Sequence, residues 1–205
     1  MGIQISTNSD SSLVYNNIVY NQGYYGINIY GGANSIVFNN VVFGNLTTWA
    51  DSSYGEIVVQ NGATTYLYNN SIKSASVNGI YIDSSAGSGV GIKNNIVYDQ
   101  VGGYYAIKNE GSGVTAQFND FYGSTSYGSA TQDQNINENP EWDANYRLTS
   151  SSSQGSGHVR DGGVDLSATF TTDKNGIIRP QGPGWDMGAY ELTLISPPTN
   201  LRIIQ

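Results

Sequence analysis

Short apolar runs of three to five residues, each closed by Gly, Asn, Ser or Asp, recur in a fixed order through the first three fifths of the chain. One kind reads Gly2-Ile3-Gln4-Ile5, Gly26-Ile27-Asn28-Ile29, Glu56-Ile57-Val58-Val59, Gly79-Ile80-Tyr81-Ile82 and Ala106-Ile107-Lys108-Asn109, with starts 24, 30, 23 and 27 residues apart. A second kind reads Leu13-Val14-Tyr15, Ile36-Val37-Phe38, Tyr66-Leu67-Tyr68, Val90-Gly91-Ile92 and Thr115-Ala116-Gln117-Phe118. The third follows an Asn pair that begins at Asn16, Asn39, Asn69 and Asn94, with a variant at Asn119-Asp120; these starts are 23, 30, 25 and 25 apart. The runs are rich in β-branched and aromatic residues, and the residues between them favour turns. None is long enough, or spaced at three and four, to form a helix.

Three short strands in a period of about two dozen residues predict an all-β repeat fold in which each unit buries its apolar face on its neighbours. The arrangement that fits is a right-handed parallel β-helix, a single-stranded solenoid of about five coils with an irregular C-terminal cap. Equivalent strands pair in parallel at about 4.8 Å and enclose a narrow core. Alternation sends the two Ile positions of each Gly-Ile-x-Ile run inward and the middle position (Asn28, Val58, Tyr81, Lys108) outward. The Asn pairs predict a turn ladder: one Asn per coil takes a left-handed bend, and its side-chain amide bonds the next coil.

The boundaries that follow are coils over 1–122, a connecting loop over 123–140, a capping segment over 141–193 and a linker over 194–205. Gly2-Ile3-Gln4-Ile5 is already in phase with the repeat, and an uncapped first coil exposes a sheet edge. The expectation is therefore a piece of a larger multidomain chain.

Composition narrows the class. The 205 residues include 26 Gly and 16 Tyr, no Cys and only 12% charged side chains, with a formal charge of −8. There is no disulfide framework and no thiol chemistry. No basic stripe exists to meet nucleic-acid phosphates, and no run of 18 apolar residues reads as a membrane span.

Beyond the repeat, Asn139-Pro140-Glu141-Trp142 leads into Tyr146-Arg147-Leu148, then Asp173-Lys174-Asn175-Gly176 with Arg179-Pro180, then Asp186-Met187-Gly188-Ala189-Tyr190-Glu191. This run resembles the C-terminal signature of bacterial secreted, pectin-lyase-like parallel β-helix proteins. One departure is Ser153-Gln154-Gly155-Ser156-Gly157-His158, where that family usually carries Ser-Pro-x-x-Asp-x-Gly. The tail from Pro197 is similar to the opening strand of a fibronectin type III module. The resemblance implies an extracellular or bacterial cell-surface setting and leaves the activity open. From the residues alone, Arg179 is a partner for Asp186 or Glu191, with Trp185 and Tyr190 covering the last coil. The rival reading of Asp173-Lys174-Asn175-Gly176 as a calcium loop lacks the late bidentate Glu.

A parallel solenoid offers chemistry as side chains in register on an outward face. The position just past the Gly-Ile-x-Ile strand carries Tyr30, Gln60, Asp83 and Glu110, with Lys108 beside them. Asp83 and Glu110 fall on neighbouring coils, where a carboxylate pair could hold a divalent cation such as calcium or divide acid and base roles, with Lys108 as a base. The plain alternative is a solvated surface charge ladder. Trp49 and Tyr54 lie on the insertion that lengthens one coil, and with Tyr81 and Tyr105 they are candidates for sugar stacking. No resident cofactor is implied. His158 is the only histidine, so neither a Ser-His-Asp triad nor a multi-His metal site can be assembled.

Three functions fit: a non-catalytic module that binds a polysaccharide or cell-surface glycan, or displays at a surface; the C-terminal part of a polysaccharide lyase or glycoside hydrolase; and a structural stalk or adhesin. Only Lys73, Lys93 and Lys108 supply positive charge within the coils. A lyase must neutralise uronate carboxylates, so the charge favours binding of a neutral glycan.

Overall fold

The computed structural model describes residues 1–48, 53–74, 77–98, 104–123 and 130–193. Among these residues fifteen strands wind through the coils. The first coil carries β1 (Ile3–Ile5), β2 (Leu13–Tyr15) and β3 (Ile18–Tyr20), and the second β4 (Ile27–Tyr30), β5 (Ser35–Phe38) and β6 (Val41–Phe43). The third carries β7 (Gly55–Gln60), β8 (Thr65–Tyr68) and β9 (Ser71–Lys73), and the fourth β10 (Asn78–Ile82), β11 (Gly91–Lys93) and β12 (Ile96–Tyr98). Then come β13 (Ile107–Asn109), β14 (Thr115–Gln117) and β15 (Thr131–Asp133). Every pairing between strands is parallel, and the strands form three sheets: β1-β4-β7-β10-β13, β2-β5-β8-β11-β14-β15 and β3-β6-β9-β12. No helix among the described residues is long and apolar enough to cross a membrane.

Alternation builds the core. Ile27, Ile57, Ile80 and Ile107 stand in one register column and Ile29, Val59 and Ile82 in another, all fully buried. They join Val14, Val37, Leu67, Ile92 and Ala116 of the second sheet and Val19, Val42, Ile72 and Val97 of the third in a single apolar interior. The middle column of the first sheet keeps its expected register, Gln4, Asn28, Val58, Tyr81, Lys108. Its side chains do not stand free in solvent, however: Asn28, Val58 and Tyr81 are buried although they lie outside that interior cluster.

The Asn pairs divide the labour that the sequence assigns to one residue. The first of each pair, Asn16, Asn39, Asn69 and Asn94, has φ between 48° and 61°, the left-handed bend that Asn tolerates best after Gly. The second makes the ladder. Asn17 donates its backbone and side-chain amides to Asn40 Oδ1, Asn40 to Asn70, Asn70 to Asn95 and Asn95 to Asn119, all at 2.9–3.0 Å. Asn119 continues to Asn135 at 2.9 and 2.8 Å. Phe118, with φ 55°, holds the first position in the fifth coil, so the repeat there is Phe-Asn and not Asn-Asp. Gln134-Asn135 supplies a sixth rung after β15, and the solenoid thus continues into the stretch expected to be a loop.

The C-terminal segment, expected as a lid on the last coil, instead runs lengthwise over the corner between the second and third sheets. Lys174 Nζ reaches the Asn16 carbonyl at 2.8 Å, and Asn39 Nδ2 donates to Thr172 O at 2.7 Å. Asn69 Nδ2 donates to Asp186 O, and Asn94 Nδ2 to Val164 O. The left-handed bend aims each first Asn outward, which leaves a column of amides that a second segment of chain can bind. The outward apolar residues beside them are covered in the same way. Phe38 packs on Phe170 and Trp185; Ile96 on Leu148, Val159 and Met187; Val41 on Ala189 and Tyr190.

Candidate functional site

The strand edge of the first sheet brings the predicted charged residues together. Tyr30 pairs with Gln60 in register. Asp83 and Glu110 follow the paired residues Ile82 and Asn109, with Asp83 N bonded to Val59 O and Glu110 N to Ile82 O. The four side chains therefore form one row, a coil apart at about 4.8 Å per step. Tyr30 and Glu110 are exposed, and Gln60 and Asp83 half-buried.

Behind the row, the Tyr81 hydroxyl lies 3.0 Å from Asp83 Oδ2 and 2.7 Å from Glu110 Oε2. Lys108 Nζ is 3.0 Å from Glu110 Oε1 and 5.2 Å from the centre of the Tyr81 ring. Asp83 Oδ1 accepts from the backbone amide and hydroxyl of Ser85. These contacts set the protonation states. Burial lifts the Tyr81 phenol, and the two carboxylates beside it lift it further, so it keeps its proton. The Tyr81 hydroxyl and Lys108 hold Glu110 below its ordinary value. For Asp83, partial burial pushes upward, but the Ser85 and Tyr81 hydrogen bonds outweigh it and the net shift is downward. Both carboxylates are ionised at neutral pH and act as hydrogen-bond acceptors.

The aromatic candidates are dispersed. Tyr81 is only 4% exposed and serves as a hydrogen-bond bridge, leaving no open ring face. Tyr54 is half-buried at the opposite edge of the sheet, where its ring meets Tyr25 at 5.5 Å and Tyr24 at 6.4 Å. Tyr105, also half-buried, donates its backbone amide to Asn78 Oδ1 at 3.0 Å. Trp49 lies outside the described residues. Among the described residues the exposed rings are Tyr15, Tyr20, Tyr24 and Tyr30. Sequence reading weighed Tyr30 but not Tyr15 or Tyr20, because aromatics within a strand repeat read as packing.

In the C-terminal segment the buried cation is Arg179. It pairs with Glu191 at 2.8 Å and also donates to the carbonyls of Asp186 and Gly188. The Asp186 carboxylate accepts from the amides of Asp161 and Leu192, so of the two expected partners only Glu191 makes the ion pair. Asp173 accepts from Asn175 N, Ile177 N and Glu191 N, an arrangement that ties a turn to the segment. Among the described residues no group of three or more His, Asp or Glu side chains is placed to hold a metal ion.

A family model described as right handed beta helix region matches residues 2–139. The chain belongs to the right-handed β-helix family. The matched span ends four residues after the sixth ladder rung, Asn135, in agreement with coils that run beyond residue 122. No curated protein and no solved structure matches the chain.

Proposed function

We propose that this β-helix is a non-catalytic glycan-binding module of an extracellular or cell-surface protein, and that it holds a neutral polysaccharide along the row Tyr30, Gln60, Asp83, Glu110. The observation that carries the reading is the bonding behind that row. Tyr81, Ser85 and Lys108 fix two ionised carboxylates in place, which gives rigid acceptors for sugar hydroxyls. Tyr30, 41% exposed at one end, offers a ring for stacking. Four positions a coil apart span about 15 Å, a length suited to an extended chain of sugars.

The same bonding argues against turnover. A glycosidase needs one carboxylic acid raised toward neutrality to protonate the leaving group. Here both candidates are shifted down, and Lys108 is engaged in a 3.0 Å ion pair with Glu110. A uronate polymer would meet two negative charges and one committed cation, so a neutral chain is favoured.

The test is a glycan array on the chain and on Tyr30→Ala and Asp83→Asn, with mass spectrometry of the incubated sugars. The reading expects retention of neutral polysaccharides, loss in both variants and unchanged sugar masses. Shortened or unsaturated products would place the protein among the hydrolases or lyases instead.

A further inference from the structure

The strands of the second sheet send Leu67, Ile92 and Ala116 into the core, so the residues on either side of each point outward. In register these form two columns, Tyr66-Gly91-Thr115-Thr131 and Tyr68-Lys93-Gln117-Asp133. The C-terminal segment covers this sheet at the second coil, where Phe170 and Trp185 pack on Phe38, and it reaches as far as Tyr68.

Gly91 shapes the floor of what lies beyond. A Cβ there would meet the Tyr66 ring at 3.1 Å and the Tyr68 hydroxyl at 3.8 Å. Glycine at this position lets both rings lean across the next coil. Their centroids are 5.8 Å apart and their planes 29° from parallel. Each ring steadies the other, and Tyr66 stays half-buried with part of its ring open. Burial, with Tyr66 alongside, pushes the Tyr68 phenol up to about 12, so Tyr68 keeps its proton.

Lys93 supplies an independent observation. Elsewhere among the described residues, Lys108 and Arg179 sit in ion pairs and Lys73 and Arg147 lie over aromatic rings. Arg160 and Lys174 donate hydrogen bonds. Lys93 is half-buried, yet no described residue pairs with its ammonium. It stands two residues beyond Gly91, about 6.6 Å along the strand. The carboxylate in its own column, Asp133, is two coils away at about 9.6 Å and accepts from Gln117 Nε2. Asp165, on the segment that passes Asn94, accepts from its own neighbour Ser167.

We infer that this face is a separate binding site for a single acidic sugar residue of a glycan, with its ring on Tyr66 and its carboxylate on Lys93. A partly open aromatic ring suits the apolar face of a sugar, and a half-buried ammonium without a counter-ion gains a charge-assisted bond from a carboxylate. One such cation, Asp133 further down the column and a formal charge of −8 oppose a polyuronate. The site lies on a different sheet from the row at Tyr30 and uses none of its residues.

Chemical-shift mapping on the full chain tests it, with methyl glucuronide as the probe and methyl glucoside and trigalacturonate as comparisons. The glucuronide is expected to shift the amides of Tyr66, Gly91 and Lys93 and to bind at least tenfold more tightly than the glucoside. Lys93→Gln should remove that preference, Tyr66→Ala should weaken the response at least tenfold, and Tyr30→Ala should leave it in place. Shifts confined to the Tyr30–Glu110 row would overturn this inference and leave the proposed function standing. An equal response to the glucoside, tighter binding of trigalacturonate, an unchanged preference in Lys93→Gln, or no response at these amides would each overturn it.

Discussion

Asn40 and Asn70 are joined by two hydrogen bonds into one oxygen. The backbone and side-chain amides of Asn40 both donate to Asn70 Oδ1 at 3.0 Å, and both residues are fully buried. Asn70 in turn donates its side-chain amide to Val37 O and Asn95 Oδ1. Leaving a buried donor unmet costs roughly 1–3 kcal/mol. Asn70→Ala should therefore destabilise the fold by about 3–5 kcal/mol in denaturant unfolding. Asn17→Ala, at the end of the ladder and half-exposed, should cost about 1 kcal/mol or less. Equal losses at the two positions would refute the ladder as a chain of buried bonds.

Arg179 fastens the C-terminal segment. It is buried with Glu191, and its Nη2 also lies 3.3 Å from Asn39 Oδ1 on the second coil. Removing one member of a buried pair leaves an uncompensated charge, at a cost of about 3–5 kcal/mol. Arg179→Ala should lose that much, and Arg179→Lys should recover little, since an ammonium cannot reproduce the spread of guanidinium bonds. Calorimetry of the two variants decides it; full rescue by Lys would show that charge alone matters there.

The buried carboxylates should make the protein most stable in mild acid. Burial raises Glu56 to about 7, Asp120 to about 8 and Asp186 to about 7. Hydrogen bonds from Asn45 partly offset the rise for Glu56, and the Glu138 amide does so for Asp120. A group whose native pKa lies above its unfolded value contributes its full stability below the unfolded pKa, near 4, and loses it as pH rises through the native one. Melting temperature should fall steadily between about pH 5 and pH 9. Asp120→Asn should flatten the upper part of that curve. A melting temperature that rises across the window would contradict the burial of these groups in protonated form.

Tyr81→Phe isolates the hydroxyl bridge. Its bond is the leading cause of the low Glu110 value, whereas for Asp83 it ranks behind burial and Ser85. Carboxyl NMR titration should show Glu110 rising more than Asp83. A larger rise at Asp83 would mean that the hydroxyl bonds chiefly to Asp83 and not to Glu110.

Much of this fold is legible in the chain because stacking repeats the same physical demand in every coil. Ile27, Ile57 and Ile80 recur since each fills the same column, and the Asn pairs recur since each rung needs the same bonds. The row Tyr30, Gln60, Asp83, Glu110 could be aligned by counting from those columns. What the chain hides is whatever leaves the repeat. The path of the C-terminal segment depends on outward amides at Asn39 and Asn69, which look identical in sequence to their ladder partners Asn40 and Asn70. The role of Tyr81 was equally hidden, because alternation says that a residue points outward and not that a neighbouring coil will bury it. The fifth coil misleads for a related reason: Phe118 occupies a left-handed position that Asn holds elsewhere, and the repeat seems to slip by one residue.

The central claim is that the Tyr30–Glu110 row binds a neutral glycan without cleaving it. Calorimetric titration of neutral oligosaccharides into the chain and into Asp83→Asn, with the sugars recovered and weighed by mass spectrometry, tests it most directly. The account predicts saturable binding to the unaltered chain, at least tenfold weaker binding to Asp83→Asn, and sugars recovered intact. Equal binding by both proteins, or sugars recovered shortened, would contradict it.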